Sequence, residues 1–170
     1  MSSGVAVNPD CQTTFLQMAE NKKEYRYIVF KIEEKEIVVE KKVSNEEMQC
    51  HGKVDDYATN SKISYEEFID DIKELTDDLS DCRYAVFDFK FTGQREGAGQ
   101  SKMDKIIFLQ ICPDRAPVKR KMVYASSASA IKTALGTGKM LALQISEESE
   151  MSHSDLLRKL SDKYSDKSIN

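Results

Sequence analysis

The chain has 170 residues, 40% of them hydrophobic and 32% charged, values that exclude wholesale disorder and predict a single domain over residues 1–170. A formal net charge of −4 argues against a general nucleic-acid binder, and no apolar run is long enough to cross a bilayer. The four cysteines, Cys11, Cys50, Cys82 and Cys112, are widely spaced with no CxxC pair, which favours buried free thiols over disulfides or a zinc site.

Residues 1–8, MSSGVAVN, are small and weakly polar and read as a flexible segment with Ser2 and Ser3 accessible to modifying enzymes. Asn8 is placed to cap a short helix whose apolar face is Phe15, Leu16, Met18 and Ala19. Residues 25–32 and 36–43 are rich in β-branched and aromatic side chains and read as a hairpin, followed by a polar connection over 44–60. Over 61–79, the spacing of Ile63, Phe68, Ile69, Ile72 and Leu75 predicts a second helix, with Asp70, Asp71, Asp77, Asp78 and Asp81 read as a solvated acidic face.

Residues 82–92, CRYAVFDFKFT, and 105–112, KIIFLQIC, are apolar enough to be central strands covered on both faces. Between them, 93–101 carries three glycines and reads as a projecting loop; it lacks the lysine and hydroxyl ending of a phosphate cradle. Residues 117–138 form the organising helix, started by Pro117 and stopped at Gly136 and Gly138. At ~100° per residue, Tyr124, Ile131 and Leu135 share a core side while Lys119, Met122 and Ser126 share the opposite one, with Lys121 and Lys132 flanking. A methionine between lysines suits a protein partner or an anionic surface. A strand over 139–145, an acidic link over 147–155 and a helix from Leu156 to about Tyr164 complete the order, with 165–170 as a frayed tail. The order α, β, β, α, β, β, α, β, α predicts a mixed sheet with helices packed on it.

Catalytic constellations are sparse. His51 and His153 are the two histidines and are expected at the surface; Cys50 and His51 are adjacent and lack an orienting acid. Hydrolase, zinc-protease, dinucleotide and Walker patterns are all missing, so no catalytic residue, metal or cofactor is assigned. With no secretory leader the expected location is cytoplasmic, and short basic clusters at Lys22-Lys23 and Lys119-Arg120-Lys121 leave nuclear entry open.

The run DCRYAVFDFKF (81–91), followed by Lys105-Ile106-Ile107-Phe108, Pro113-Asp114 and APVKRKMVYASS (116–127), resembles the actin-depolymerising factor/cofilin family. The opening MSSGV is similar too. The resemblance implies an α/β domain of ADF-homology, gelsolin-like architecture, in which a five- or six-stranded mixed sheet is flanked by helices. It also implies a monomeric, non-enzymatic regulator that binds G-actin and F-actin, prefers ADP-actin, and severs and depolymerises filaments on the actin cytoskeleton. Carried over by motif, the surface for monomer and filament is Ser3, Gly4, Val5, Lys119, Lys121, Met122 and Ser126. The filament-specific surface is Lys102 and Lys105 with Arg158 and Lys159, and the phosphoinositide contacts are Lys119, Arg120, Lys121 and Lys132. Ser3 is the implied phosphorylation site of a regulatory kinase and phosphatase pair.

Departures from the family pattern modify the expectation. Met103, Asp104 and Asp162 put apolar or acidic groups among the filament-contact cations, which favours a variant that chiefly sequesters monomers and severs weakly. Ala128 and Ser129 stand where many relatives carry charges, and Met140 stands near the position of a pH-sensing histidine. A thiol-dependent enzyme is the remote alternative from another class.

Overall fold

The computed structural model describes residues 4–19, 25–44, 47, 57–95, 99–136 and 141–164, with side chains described for all of these except 57–61, 90–95, 99–104 and 161–164. Within these, the run YRYIVFKIE forms β2 (Tyr25–Glu33), which pairs antiparallel with β3 (Glu36–Ser44) on one side and β4 (Arg83–Arg95) on the other. The next strand, β5 (Gly99–Ile111), runs antiparallel to β4, and β6 (Leu141–Ile145) adds in parallel to β5. A two-residue strand, β1 (Ala6–Val7), lies parallel to β3, so the mixed sheet has the order β1-β3-β2-β4-β5-β6.

Strand alternation divides the apolar residues between two layers. Tyr27, Val29, Phe87, Phe89, Ile107 and Leu109 pack under α2 (Tyr57–Leu75) and α4 (His153–Tyr164). On the other face, Ile28, Phe30, Tyr84, Val86 and Phe108 pack under α1 (Pro9–Ala19) and α3 (Val118–Leu135). Each of these large side chains stabilises the fold by ~1.5–3 kcal/mol through burial. Rings in the first layer meet edge to face, with Tyr27 and Phe68 centroids 5.0 Å apart and Tyr65 and Phe87 centroids 5.3 Å apart. The two central strands are thus covered on both faces, as their near-continuous apolar sequence predicts.

Several boundaries differ from the sequence reading, each for a local reason. The segment expected to be flexible over residues 1–8 is tied at its inner end, where Ala6 and Asn8 amides donate to the Lys35 and Ile37 carbonyls at 2.9 Å. In α1, Asn8 does cap the helix, its Oδ1 accepting from the Asp10 amide at 2.8 Å, but the buried face is Cys11, Thr14, Phe15 and Met18, and Leu16 is exposed. The second helix starts earlier and stops at Leu75, because Thr76 turns its hydroxyl back to the Ile72 carbonyl at 2.6 Å and accepts from the Leu79 amide at 3.0 Å. Asp77, Asp78 and Leu79 follow in the left-handed region, at φ 50°, 58° and 63°. Aspartates tolerate that conformation; for Leu79 it costs ~1–2 kcal/mol and is held by burial of the side chain.

The loop expected over 93–101 is mostly strand, since Thr92, Gly93, Gln94 and Arg95 pair with Lys102, Ser101, Gln100 and Gly99. Of the connection expected over 44–60, residues 57–60 are helical and most of the rest, with His51 and Cys50, lies outside the described residues. The last helix begins at His153, after a 3-10 turn (Glu148–Met151) in which Glu150 accepts from the Ser146 and Glu147 amides at 2.9 Å.

Candidate functional site

The third helix takes its position from both ends and from its buried face. Pro117 precedes it in an extended conformation, as N-cap and not as the first helical residue, and Gly136 closes it at φ 71°, which a glycine adopts without strain. Tyr124, Ile131 and Leu135 are buried against the sheet, as their spacing predicts. The Tyr124 hydroxyl accepts the Ile32 amide at 2.9 Å, and the Tyr84 hydroxyl donates to the Tyr124 carbonyl. These bonds fix the helix rotation about its own axis.

A row of charges fixes it a second time. Arg120 donates to both oxygens of Asp81 at 2.8 and 3.1 Å and lies over the Tyr124 ring, 5.5 Å from its centroid. Arg83 donates to Asp81 at 2.9 Å, to Glu40 at 2.6 Å and to the Leu75 carbonyl at 2.9 Å. Burial pushes the Asp81 carboxyl up, but the Arg120 and Arg83 guanidiniums and the Cys82 amide outweigh it and hold its pKa below the usual carboxylate value. The acids read as one solvated face therefore include two with structural roles, because Asp71 also accepts from Tyr27 and pairs with Lys41 at 2.9 Å. Among the described residues no group of three or more His, Cys, Asp or Glu side chains could hold a metal ion.

With its inner face committed, α3 turns Lys119, Met122 and Ser126 to solvent. Among the described residues, three of the four large apolar side chains left exposed belong to this helix: Val118 at 66%, Met122 at 65% and Val123 at 39%. Lys119 and Lys121 flank them, Lys121 donating to the Asp114 carbonyl at 3.2 Å. A groove of about 310 Å³ runs between the helix and the end of β2, lined by Ile32, Glu34, Lys119, Arg120, Val123 and Tyr124. Two other segments converge here. Val5 packs onto the α1–α3 core and β1 touches α3, which places Gly4 and Val5 at the rim of this layer. The link before α4 meets the turn that leads into α3, where the Asp114 amide donates to the Ser146 carbonyl at 2.9 Å.

Other expected site residues sit elsewhere. Ser3 and the Lys102 side chain lie outside the described residues. The strand register puts Lys105 opposite Phe89, on the α2–α4 face, and Arg158 and Lys159 project from α4, so this patch is separate from the outward face of α3. Arg158 is paired within its helix, to Asp155 at 3.2 Å. Of the four expected phosphoinositide contacts, Arg120 is tied to Asp81, and Lys132 lies over the Phe108 ring at 5.7 Å. The reading of His153 as a surface residue is corrected: it is half-buried, stacked on Phe89 at 5.2 Å and beside Tyr65 at 6.0 Å. Burial lowers its pKa, and Lys62 adds to the effect while Glu66 opposes it.

A mixed six-stranded sheet between two helix pairs, with a lysine-flanked apolar ridge on the outward face of α3, defines a macromolecule-binding module. The family model described as "Cofilin/tropomyosin-type actin-binding protein" matches residues 4–161, and the chain belongs to that family. It is 62% identical over 157 residues to actin-depolymerizing factor 1, isoforms a/b, of Caenorhabditis elegans, covering 92% of this chain and 73% of that protein. It is 34% identical over 163 residues to a cofilin of Schizosaccharomyces pombe, covering 95% and 98%. The solution structure of the ADF-like UNC-60A protein of C. elegans superposes with a TM-score of 0.79 at 60% identity, over 97% of this chain and 99% of that one.

Proposed function

We propose that this protein binds actin monomers and filaments, with preference for the ADP form, and promotes filament depolymerisation and severing through the outward face of α3. The observation that carries the reading is the concentration of exposed apolar side chains, Val118, Met122 and Val123, beside Lys119 and Lys121 on one helix. Apolar patches rimmed by charge on an otherwise polar surface are where partners dock. Gly4, Val5 and the link at Ser146 extend the contact, and Ser126 continues it along the helix. The names of the relatives, actin-depolymerizing factor and cofilin, favour depolymerisation over a purely sequestering role and over a thiol-dependent enzyme. Its place in the cell is then on actin structures.

Finer assignments concern this face and a separate patch on the α2–α4 side. Lys105, Arg158 and Lys159, with Lys102, form a second patch for the neighbouring subunit in a filament. Lys119, Lys121 and Lys132 are the contacts for phosphoinositides, which would compete with actin at ~1 kcal/mol per basic residue near the membrane surface. A kinase acting on Ser3 would add roughly two negative charges beside Gly4 and Val5 and weaken docking.

Sedimentation with filaments, together with a fluorescence titration of labelled ADP-actin monomers, tests the reading. Binding in both assays is expected, and absence of binding in both overturns it. Ser3→Glu is expected to weaken both interactions; parental affinity for that variant removes the phosphorylation switch.

A further inference from the structure

The register that pairs Arg83 with Ile111 across β4 and β5 sets Cys82 opposite Cys112, one step past the end of the ladder. The Cys112 amide donates to the Ile145 carbonyl at 2.9 Å, and the Cys82 amide donates to the Asp81 carboxylate at 2.8 Å. Neither amide is spent on the opposite cysteine. The two therefore face each other as a non-hydrogen-bonded antiparallel pair, the arrangement in which Cα atoms lie ~4.5 Å apart and side chains are nearest. A disulfide needs Cα atoms ~4.4–6.8 Å apart, and a pair of this kind falls within that range.

The two sulfurs already interact. Their mutual influence raises the pKa of Cys82 and lowers that of Cys112. Gln110 Nε2 donates to Cys112 Sγ at 3.9 Å, and the nearby Lys121 ammonium favours the thiolate further. Burial separates the roles in the same direction, since Cys82 is fully buried and Cys112 is partly buried. The contrast is Cys11, a buried thiol that donates to the Ile37 carbonyl and whose pKa is pushed up to about 11 by burial.

We propose that Cys82 and Cys112 form a redox-active dithiol that a hydroperoxide converts to an intramolecular cross-strand disulfide, with Cys112 attacking and Cys82 resolving. Cys112 Sγ attacks one peroxide oxygen and the O–O bond breaks; the sulfur is oxidised to a sulfenic acid, and the other oxygen leaves with a proton as alcohol or water. Cys82 Sγ then attacks the sulfenic sulfur. The S–S bond forms, the S–O bond breaks, and the hydroxyl departs with the Cys82 proton as water. Two thiols and one hydroperoxide thus give one disulfide, one water and one alcohol, or a second water from hydrogen peroxide. The bond would pin the start of β4 to the residue just before the turn into α3. The proposal rests on the thiol pair and its surroundings and stands or falls separately from actin binding.

The test treats the reduced full chain with hydrogen peroxide, caps remaining thiols with N-ethylmaleimide, digests with trypsin and identifies linked peptides by mass spectrometry. The expected product joins ELTDDLSDCR (74–83) to IIFLQICPDR (106–115), and dithiothreitol separates them. Before oxidation, N-ethylmaleimide should label Cys112 at least about tenfold faster than the fully buried Cys82 or Cys11. Cys82→Ala should stop at a Cys112 sulfenic acid that dimedone traps. Capping of both peptides after peroxide, a link to Cys11 or Cys50 instead, or dimedone on Cys82 would each overturn the proposal. If Cys82→Ala melts early, the parental linked peptide alone decides.

Discussion

Replacing Met122 by alanine isolates the apolar ridge from the charges around it. The side chain is 65% exposed in the free protein, and complete burial of a methionine is worth ~1.5–3 kcal/mol, so docking has about two thirds of that, ~1–2 kcal/mol, left to gain. At 1.4 kcal/mol per tenfold, Met122→Ala should raise the dissociation constant for actin about 5- to 30-fold. Because the side chain contributes little to the core, the unfolding free energy should stay within ~0.5 kcal/mol of the parent. Filament sedimentation and monomer fluorescence titrations give the affinities, and urea unfolding followed by circular dichroism gives the stability. Affinity within about twofold of the parent for both actin forms, at parental stability, would refute the claim that this ridge is a contact.

Lys119→Ala combined with Lys121→Ala should weaken binding to monomer and filament alike by a few kcal/mol at most, read in the same two titrations. Tyr124→Phe should destabilise the fold by ~1–3 kcal/mol, because the buried Ile32 amide loses its acceptor, and urea midpoints measure this directly. His153 has a folded-state pKa below its unfolded value, lowered by burial among Phe89 and Tyr65. Between those two values the unfolded chain binds more protons, so the contribution of His153 to stability falls as pH drops below ~6.5. Urea midpoints collected from about pH 5 to 7 should therefore slope less for His153→Phe than for the parent; parallel curves would remove His153 from the pH response.

What the sequence made legible was whatever lay within one element. The runs at 82–92 and 105–112 are apolar enough that both-sided burial follows from that alone. The outward face of α3 could be placed by angle counting, since Tyr124, Ile131 and Leu135 fix the inward direction and the capping residues fix the length. Relations between distant elements were not legible. Arg120 and Asp81 are 39 positions apart, and nothing near either one marks them as partners. The burial of His153 is caused by rings from α2 and β4, and the Cys82–Cys112 pairing by strand register. The strand extension through 93–95 and 99–101 carries glycines and polar residues, which read as a loop wherever pairing is not visible. At two residues, β1 is too short to show any period.

The account depends most on actin covering the outward face of α3, and hydroxyl-radical footprinting of the methionines measures that coverage. In the free protein Met122 should oxidise quickly, while Met18 and Met151, both buried, serve as internal references. With saturating ADP-actin the account predicts that oxidation of Met122 slows several-fold while the references do not change. Oxidation of Met122 at the same rate with and without bound actin would contradict it.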